Sequence, residues 1–323
     1  MATYKEIHGT SIEVLSSDPS NPVLGQIWYN TTSQSLKGVE FSTVGSWATG
    51  GNMIAAIKEL GGLGTQTAGL SVGGNEGGSS NQCEEYNGSS WTAGGNMSVP
   101  RFDVAAAGLQ TAGLAFGGFA PSQSPTSSVS TEEYNGTAWT GGGNLGTGRY
   151  GGAGAGTQTA GLAFGGFLPP NTTATEEYNG SSWTAGGALS AATKYLAGCG
   201  TQTAGLAFGG ETPSAADANA TFEYDGSSWT NGGNLNTARQ RLAGSGIQTA
   251  ALAFGGNVVP LGATEEYNGT AWTTTTTMSF GRRALAGCGA TSALSLAFGG
   301  TPPDTAATEE FSAGPVTVTI SGS

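Results

Sequence analysis

Short apolar segments alternate with polar turn segments over most of the chain. In residues 156–166, GTQTAGLAFGG, a compact apolar run ends at Gly-Gly, and in residues 175–183, TEEYNGSSW, polar and aromatic positions alternate. Within the second segment, Asn-Gly at 179–180 separates TEEY from SSW, and this dipeptide favours a type I′ turn between antiparallel strands. The pattern therefore predicts short antiparallel β-strands.

This pattern recurs six times along the chain. Gly-Gly pairs, spaced by 44 to 48 residues, occur at 73–74, 117–118, 165–166, 209–210, 255–256 and 299–300. Each copy predicts four strands: a Gly- and Ala-rich strand, an apolar strand such as 160–164, a TEEY strand, and one that begins at Trp. A Tyr stands five residues before Trp in five copies, at Tyr86, Tyr134, Tyr178, Tyr224 and Tyr267. Four strands in about 45 residues are typical of a propeller blade.

Gly-Gly at the end of one strand, followed by a Tyr and a Trp, resembles the kelch repeat. The resemblance covers residues 47–311, although the loops are shorter and the Tyr–Trp interval is tighter than in typical kelch blades. It implies an all-β fold, namely a six-bladed kelch-like β-propeller with four-stranded blades.

The two ends of the repeat region predict how the ring closes. The sixth copy reaches Glu309, Glu310 and Phe311 without a Trp, and the chain opens the repeats with residues 39–41 and Trp47. An N-terminal strand that completes the last blade explains both, and a seventh, degenerate blade built from 24–47 is the alternative. We therefore expect a docking segment at 1–37, the propeller at 38–311, and a C-terminal strand at 312–323, on the ring or on a neighbouring subunit.

Composition and charge narrow the function. The chain has 323 residues, 58 of them Gly, and a net charge of −12 with only ten Lys and Arg. This balance argues against nucleic-acid binding. No apolar run is long enough to span a bilayer and no signal segment precedes the repeats, so we expect a soluble protein without membrane insertion. Cys83, Cys199 and Cys288 predict buried free thiols without metal-type spacing.

The basic residues recur with the repeat. One lies 15 or 16 residues before each Gly-Gly: Lys58, Arg101, Arg149, Lys194, Arg239 and Arg283. In a closed propeller they would form a ring around one mouth of the channel. Either each cation pairs with a repeated Glu of its own or a neighbouring blade, or the ring binds an anionic group such as a sugar acid or a partner's carboxylates.

The sequence predicts no catalytic site, metal or cofactor. The one histidine, His8, precedes the repeats, and a glycosidase needs two carboxylates in different environments. The carboxylates in the repeat region that do not recur form no obvious pair in the sequence: Glu59, Glu76, Asp103, Glu211, Asp217 and Asp304.

Residues 18–38 predict a hairpin that exposes Trp28 and Tyr29. Its core, GQIWYNTTSQ, is similar to N-terminal segments of bacteriophage tail and virion proteins, and the near-identical blades resemble marine phage proteins, cyanophage ones among them. The alternative is an ordinary hairpin packed on the propeller.

The phage resemblance implies a non-enzymatic virion protein in a tail, fibre, neck or capsid appendage. Residues 1–37 would dock to other virion proteins, with Trp28 and Tyr29 as docking residues, and the propeller would mediate host-surface attachment or subunit contacts in a multi-copy assembly. The protein would be made in the host cytoplasm. A host surface glycan is the expected external partner. The variable segments 119–130, 167–174 and 211–220 are the first candidates for its binding site, ahead of the basic ring. A purely architectural component and a polysaccharide-degrading enzyme are the alternatives.

Overall fold

The computed structural model describes residues 12–19, 26–41, 45–123 and 126–319. All regular elements within these ranges are β-strands, arranged in seven four-stranded sheets. The all-β prediction is confirmed, and the repeated antiparallel sheets fit a β-propeller-like fold. The number of sheets, however, is seven and not six. Six lie in a larger unit, Ser46–Ser312, and the seventh lies in a smaller unit, Met1–Gly45 with Ala313–Ser323.

The sheet of the smaller unit has the order β1 (Glu13–Leu15), β2 (Ile27–Asn30), β3 (Ser35–Phe41) and β28 (Pro315–Thr319). Strands β2 and β3 form the antiparallel hairpin that the sequence predicted. We had expected the C-terminal strand on the ring or on a neighbouring subunit. Instead, β28 pairs antiparallel with β3 and belongs to the sheet of the smaller unit. The edge of β3 that is free in the hairpin is satisfied by this pairing.

In the larger unit each sheet begins with an inner strand rich in Gly and Ala. These strands contact one another in chain order, and the last contacts the first. A Cβ on Gly154 would lie 2.6 Å from the Phe116 ring, which shows why small residues are needed here. The inner strands are β5 (Gly61–Thr65), β9 (Ala105–Leu109), β13 (Ala153–Thr157), β17 (Ala197–Thr201), β21 (Ala243–Ile247) and β25 (Ala286–Thr291).

The second strands are apolar and buried: β6 (Ala68–Asn75), β10 (Ala112–Phe116), β14 (Ala160–Phe164), β18 (Ala204–Phe208), β22 (Ala250–Phe254) and β26 (Leu294–Phe298). The third strands carry the repeated Glu and, except in β27, the repeated Tyr: β7 (Ser79–Tyr86), β11 (Thr131–Tyr134), β15 (Thr175–Tyr178), β19 (Thr221–Tyr224), β23 (Thr264–Tyr267) and β27 (Thr308–Ser312).

The outer strands begin at or near the repeated Trp: β8 (Trp91–Ala93), β12 (Trp139–Gly141), β16 (Trp183–Ala185), β20 (Trp229–Asn231), β24 (Trp272–Thr274) and β4 (Ser46–Thr49). Strand β4 pairs with β27, with Trp47 opposite Phe311, so a segment from before the repeats completes the sixth sheet of the larger unit. The sequence predicted this pairing.

The Asn-Gly turns differ from the two-residue type I′ turn that we predicted. Tyr86 pairs with Trp91, so the loop contains four residues. The Asn87 side-chain oxygen accepts hydrogen bonds from the backbone N–H groups of Ser89 and Ser90, at 3.0 and 2.9 Å. The asparagine therefore acts through its side chain, as in an Asx turn.

Repeated aromatic residues hold neighbouring sheets together. The Tyr178 hydroxyl donates to Glu133 on the preceding sheet (2.6 Å), and the Trp183 indole N–H donates to Thr131 (2.9 Å). The Trp183 ring also lies 4.9 Å from the Phe116 ring centroid. All three cysteines are buried free thiols, as predicted, and burial raises the pKa of Cys199 to about 12.

Candidate functional site

The six basic residues that recur in the sequence do not form one ring. The Arg101 carbonyl accepts a hydrogen bond from Gly74 N, and Arg149, Arg239 and Arg282 hold the equivalent position in other sheets. Ile57 and Thr193 occupy that position in the remaining two sheets. One residue after this position in their own repeats stand Lys58, Lys194 and Arg283. The six basic residues found 15 or 16 residues before Gly-Gly therefore occupy two different positions of the repeat. A register shift between Cys288 and Thr291 explains why Arg283 matched the count.

The arginines whose backbone carbonyls accept these hydrogen bonds are buried structural residues. Arg101 is fully buried; its Nη2 lies 2.9 Å from Glu132, and its Nη1 donates to the Ser130 carbonyl at 2.7 Å. Burial lowers the pKa of Arg101, and the Glu132 carboxylate opposes this effect. The same pairing recurs in three other sheets, as Arg149–Glu176, Arg239–Glu265 and Arg282–Glu309. The ion-pair alternative therefore describes Arg101, Arg149 and Arg239.

The other three predicted residues are half-buried, and each contacts a polar side chain. Lys58 lies 3.1 Å from Asp304, and Lys194 lies 3.0 Å from Glu211. The Arg283 Nη1 donates to the Asn257 side-chain oxygen at 2.6 Å.

A closed cycle of backbone hydrogen bonds lies just before the inner strands. Each member has a positive φ, from +49° to +61°, and its N–H donates to the carbonyl of the preceding member at 2.6 to 3.0 Å. Left-handed backbone is costly for most residues, so its recurrence in all six sheets marks a position that the ring geometry imposes. We call this set the axial ring; its members are Glu59, Asp103, Gly151, Tyr195, Arg241 and Ala284.

The axial ring gathers side chains that do not recur. The Arg241 Nη1 lies 2.8 Å from the Glu59 carboxylate and 3.5 Å from that of Asp103. The Arg241 guanidinium also stacks on the Tyr195 ring, 3.9 Å from its centroid. The Asp103 side chain is only 7% exposed, and burial raises its pKa to about 7 while Arg241 opposes the shift. Glu59 and Asp103, which form no obvious pair in the sequence, thus meet at one arginine.

An aromatic arc follows two sheets around the axial ring. Phe102 contacts Phe119, Phe119 contacts Tyr150, and Tyr150 contacts Phe167, at ring-centroid distances of 5.0, 5.3 and 5.3 Å. All four rings are partly exposed. The isolated bridges Phe102↔Phe119 and Tyr150↔Phe167 join this arc to the beginning of the variable segments 119–130 and 167–174. Residues 124 and 125 of the first segment lie outside the described ranges.

The remaining sheets surround the axial ring with polar side chains. They line an open recess of about 580 Å³, whose walls include Lys58, Lys194, Tyr195, Arg241, Asn257 and Arg283. Lys194 bridges to Glu211, at the start of the segment 211–220. We call the axial ring, the aromatic arc and this recess together the loop face, since the three variable segments begin there.

The opposite end of the inner strands offers little side-chain chemistry. A cavity of about 100 Å³ there is lined by glycines and by small or apolar residues such as Ala107, Cys199 and Ser245. The loop face is therefore the better candidate for a functional site.

The predicted docking residues differ from each other in access. Trp28 is fully buried and its indole N–H donates to Asp18 at 3.0 Å, so this side chain is not free to dock, contrary to our expectation. Tyr29 is 37% exposed. The alternation of β2 explains the difference, because neighbouring side chains point to opposite faces of the sheet. His8 lies outside the described residues.

The sequence carried a signal for the axial ring that we did not use. When the repeats are aligned, the axial-ring column contains six different residues, whereas the column after it is Leu in four repeats and the column two before it is Arg in four repeats. Comparison with known proteins adds nothing further: no protein-family model matches this chain, and a search of curated proteins finds no match. The described residues include no group of acidic, Cys and His side chains suited to a metal, and no helix able to cross a membrane.

Proposed function

We propose that the six sheets of the larger unit are the blades of a six-bladed, kelch-like β-propeller. The cyclic contacts of the inner strands and the closed hydrogen-bond cycle of the axial ring support this reading. The pairing of β4 with β27 supports closure by an N-terminal strand.

On this scaffold the protein acts as a non-enzymatic virion component whose propeller mediates host-surface attachment or subunit contacts. The observation that carries the recognition role is the concentration of non-recurring side chains on the loop face. Buried positions repeat because every blade packs alike, whereas Glu59, Asp103, Tyr195 and Arg241 have no counterparts in the other blades. Recognition sites on rigid scaffolds have this character. The virion assignment rests on the resemblance of residues 18–38 and of the blades to phage proteins.

Immunogold labelling of purified virus particles with antibody against residues 46–312 tests the virion role. We expect label on the tail or on an appendage, and antibody absorbed with the purified chain is the control. Unlabelled particles, with the antigen found only in lysates of infected cells, would contradict it.

A polysaccharide-degrading enzyme is the second candidate, because two non-recurring carboxylates, Glu59 and Asp103, face one mouth. A glycosidase holds the scissile bond between its two carboxylates. Here both carboxylates contact the same Arg241 nitrogen, so a guanidinium occupies the space between them. We therefore expect no release of reducing ends from surface polysaccharides; release that Asp103→Asn abolishes would favour the enzyme.

A further inference from the structure

The recess of the loop face concentrates positive charge on an acidic chain. Four of the ten Lys and Arg residues line it: Lys58, Lys194, Arg241 and Arg283. The first three are matched by carboxylates, on Asp304, Glu211 and Glu59. Among the described residues no carboxylate lies within salt-bridge distance of Arg283, whose one side-chain hydrogen-bond partner is the Asn257 amide oxygen. Arg283 is therefore the cation left for an external anion.

Glu59 and Glu211 also line the recess, but they are paired with Arg241 and Lys194. The uncharged polar groups of the lining suit a ligand rich in hydroxyls. Gln240 and Asn257 bring amide groups, Thr301 brings a hydroxyl, and the Tyr195 ring forms part of the wall. Each amide can donate and accept hydrogen bonds. A volume of about 580 Å³ lies within the range of small-molecule sites.

The aromatic arc adjoins this recess through Lys194. The Lys194 Nζ lies 4.8 Å from the centroid of Phe167 and 5.1 Å from that of Tyr195. A ligand that fills the recess and extends past Lys194 therefore meets partly exposed aromatic rings. Aromatic rings pack well against the C–H faces of sugar rings, while hydroxyl groups around the sugar's edge remain free for hydrogen bonds.

We propose that the recess binds a carboxylated sugar of a surface glycan, with Arg283 as the carboxylate partner and the aromatic arc as the platform for the adjoining sugar. This deepens the recognition role proposed above but does not depend on the virion assignment. A sugar acid brings one carboxylate among many hydroxyls, which fits one unmatched cation among amides. An acidic peptide fits less well, because its several charges would be repelled by a chain of net charge −12.

The test is binding of the full chain to an array of uronate- and sialate-bearing oligosaccharides, each printed beside its carboxyl-reduced counterpart. We expect retention of at least one acidic glycan and loss of binding after reduction. Arg283→Gln should weaken this binding about tenfold or more, since it removes a charge-assisted hydrogen bond. Lys58→Gln should weaken it less, because Asp304 already neutralises Lys58. Thr230→Ala, on an exposed outer strand, is the control.

The platform is tested with a monosaccharide and a trisaccharide of the retained acid. Phe167→Leu should weaken binding of the trisaccharide more than binding of the monosaccharide, because Phe167 is the ring of the arc that lies next to Lys194. Binding of acidic and reduced glycans alike, unaffected by Arg283→Gln, would overturn the carboxylate assignment and leave glycan attachment standing. Binding of a polyglutamate peptide without any glycan would overturn the glycan proposal in favour of a protein partner, and particles that still carry immunogold label would preserve the virion role.

Discussion

At the residue scale, exceptions to the repeat identify what each repeated residue does. The indole N–H of Trp183 donates to Thr131 on the preceding sheet, and Trp91, Trp229 and Trp272 have equivalent bonds. Cys83 stands at the threonine position of the first repeat, so among the described residues the Trp139 N–H opposite it finds no oxygen acceptor and faces only the Cys83 sulfur, which is a weak acceptor. A repeated N–H···O hydrogen bond is thus replaced by a weak contact to sulfur where one residue departs from the pattern.

Cys83→Thr should therefore stabilise the protein. The new hydroxyl supplies the oxygen acceptor that Trp139 lacks, which is worth about 1 kcal/mol of unfolding free energy. Urea unfolding measures this change, and Cys83→Val is the matched control, since valine has the shape of threonine without its hydroxyl. Equal stability of the Thr and Val variants would contradict the explanation.

A second exception involves two contacting positions, which are Tyr and Gly in the other repeats and both differ in one place. Five tyrosine hydroxyls donate to a Glu on the preceding sheet, and beside them lie glycines such as Gly232, where a Cβ would be 2.7 Å from the Tyr267 oxygen. In the sixth case the tyrosine is Phe311 and the glycine position is Thr275. Within the described part of the chain, the Glu266 carboxylate and the Thr275 hydroxyl there each have a buried oxygen without a partner, and burial raises the pKa of Glu266.

Phe311→Tyr alone should not stabilise the protein, because Thr275 fills the space that the hydroxyl needs. Combined with Thr275→Gly it should gain the Tyr–Glu hydrogen bond. We expect a favourable coupling of about 1 kcal/mol in a double-mutant cycle measured by urea unfolding. Additive effects of the two substitutions would count against this interpretation.

At the scale of the element, the chain itself contains a natural double variant of the buried ion pair. In four sheets an Arg pairs with a Glu of the third strand, whereas the sheet of β17–β20 has Thr193 and Phe222 at these positions, both buried. Loss of both partners avoids the unpaired buried charge that a single loss leaves. In the sheet of β5–β8, Ile57 replaces the Arg while Glu84 remains; there the backbone N–H groups of Ile54 and Ala55 donate to the carboxylate, and burial raises the pKa of Glu84.

Arg101→Thr and Glu132→Phe should each destabilise the protein by about 3–5 kcal/mol. The double variant copies the Thr193–Phe222 arrangement, and we expect it to be more stable than either single variant. Thermal unfolding of the four proteins measures the difference. A double variant less stable than both singles would mean that the pair acts through more than its charges.

Local periodicity explains why the elements could be predicted while the contacts within the site could not. The repeat fixed the four strands of each copy, and the missing sixth Trp indicated the pairing of β4 with β27. Contacts within the axial ring join residues far apart in the chain, such as Glu59 and Arg241, and no local pattern relates them. Arg239 and Lys194 likewise occupy positions of the repeat that differ by one residue. This difference follows from the backbone register, which depends on the loops.

At the scale of the whole molecule, the axial ring makes the unfolding free energy depend on pH. Asp103 is buried beside a single shared arginine, and burial raises its pKa from 3.8 to about 7. The native state therefore binds a proton that the unfolded chain releases between about pH 4 and pH 7. Because the native state holds more protons in this window, Asp103 makes the unfolding free energy fall as pH rises through it, and adds no further change above it.

Asp103→Asn should remove this part of the pH dependence. We expect the melting temperature of the wild-type protein to fall relative to that of the variant between pH 4.5 and pH 7.5, as measured by calorimetry at fixed ionic strength. Other buried carboxylates with a raised pKa, such as Glu84, affect both proteins alike and cancel in the difference. Arg241→Gln should move the wild-type transition to higher pH, because Arg241 favours the charged form of Asp103. Parallel melting curves for wild type and Asp103→Asn would show that Asp103 titrates as it does in the unfolded chain.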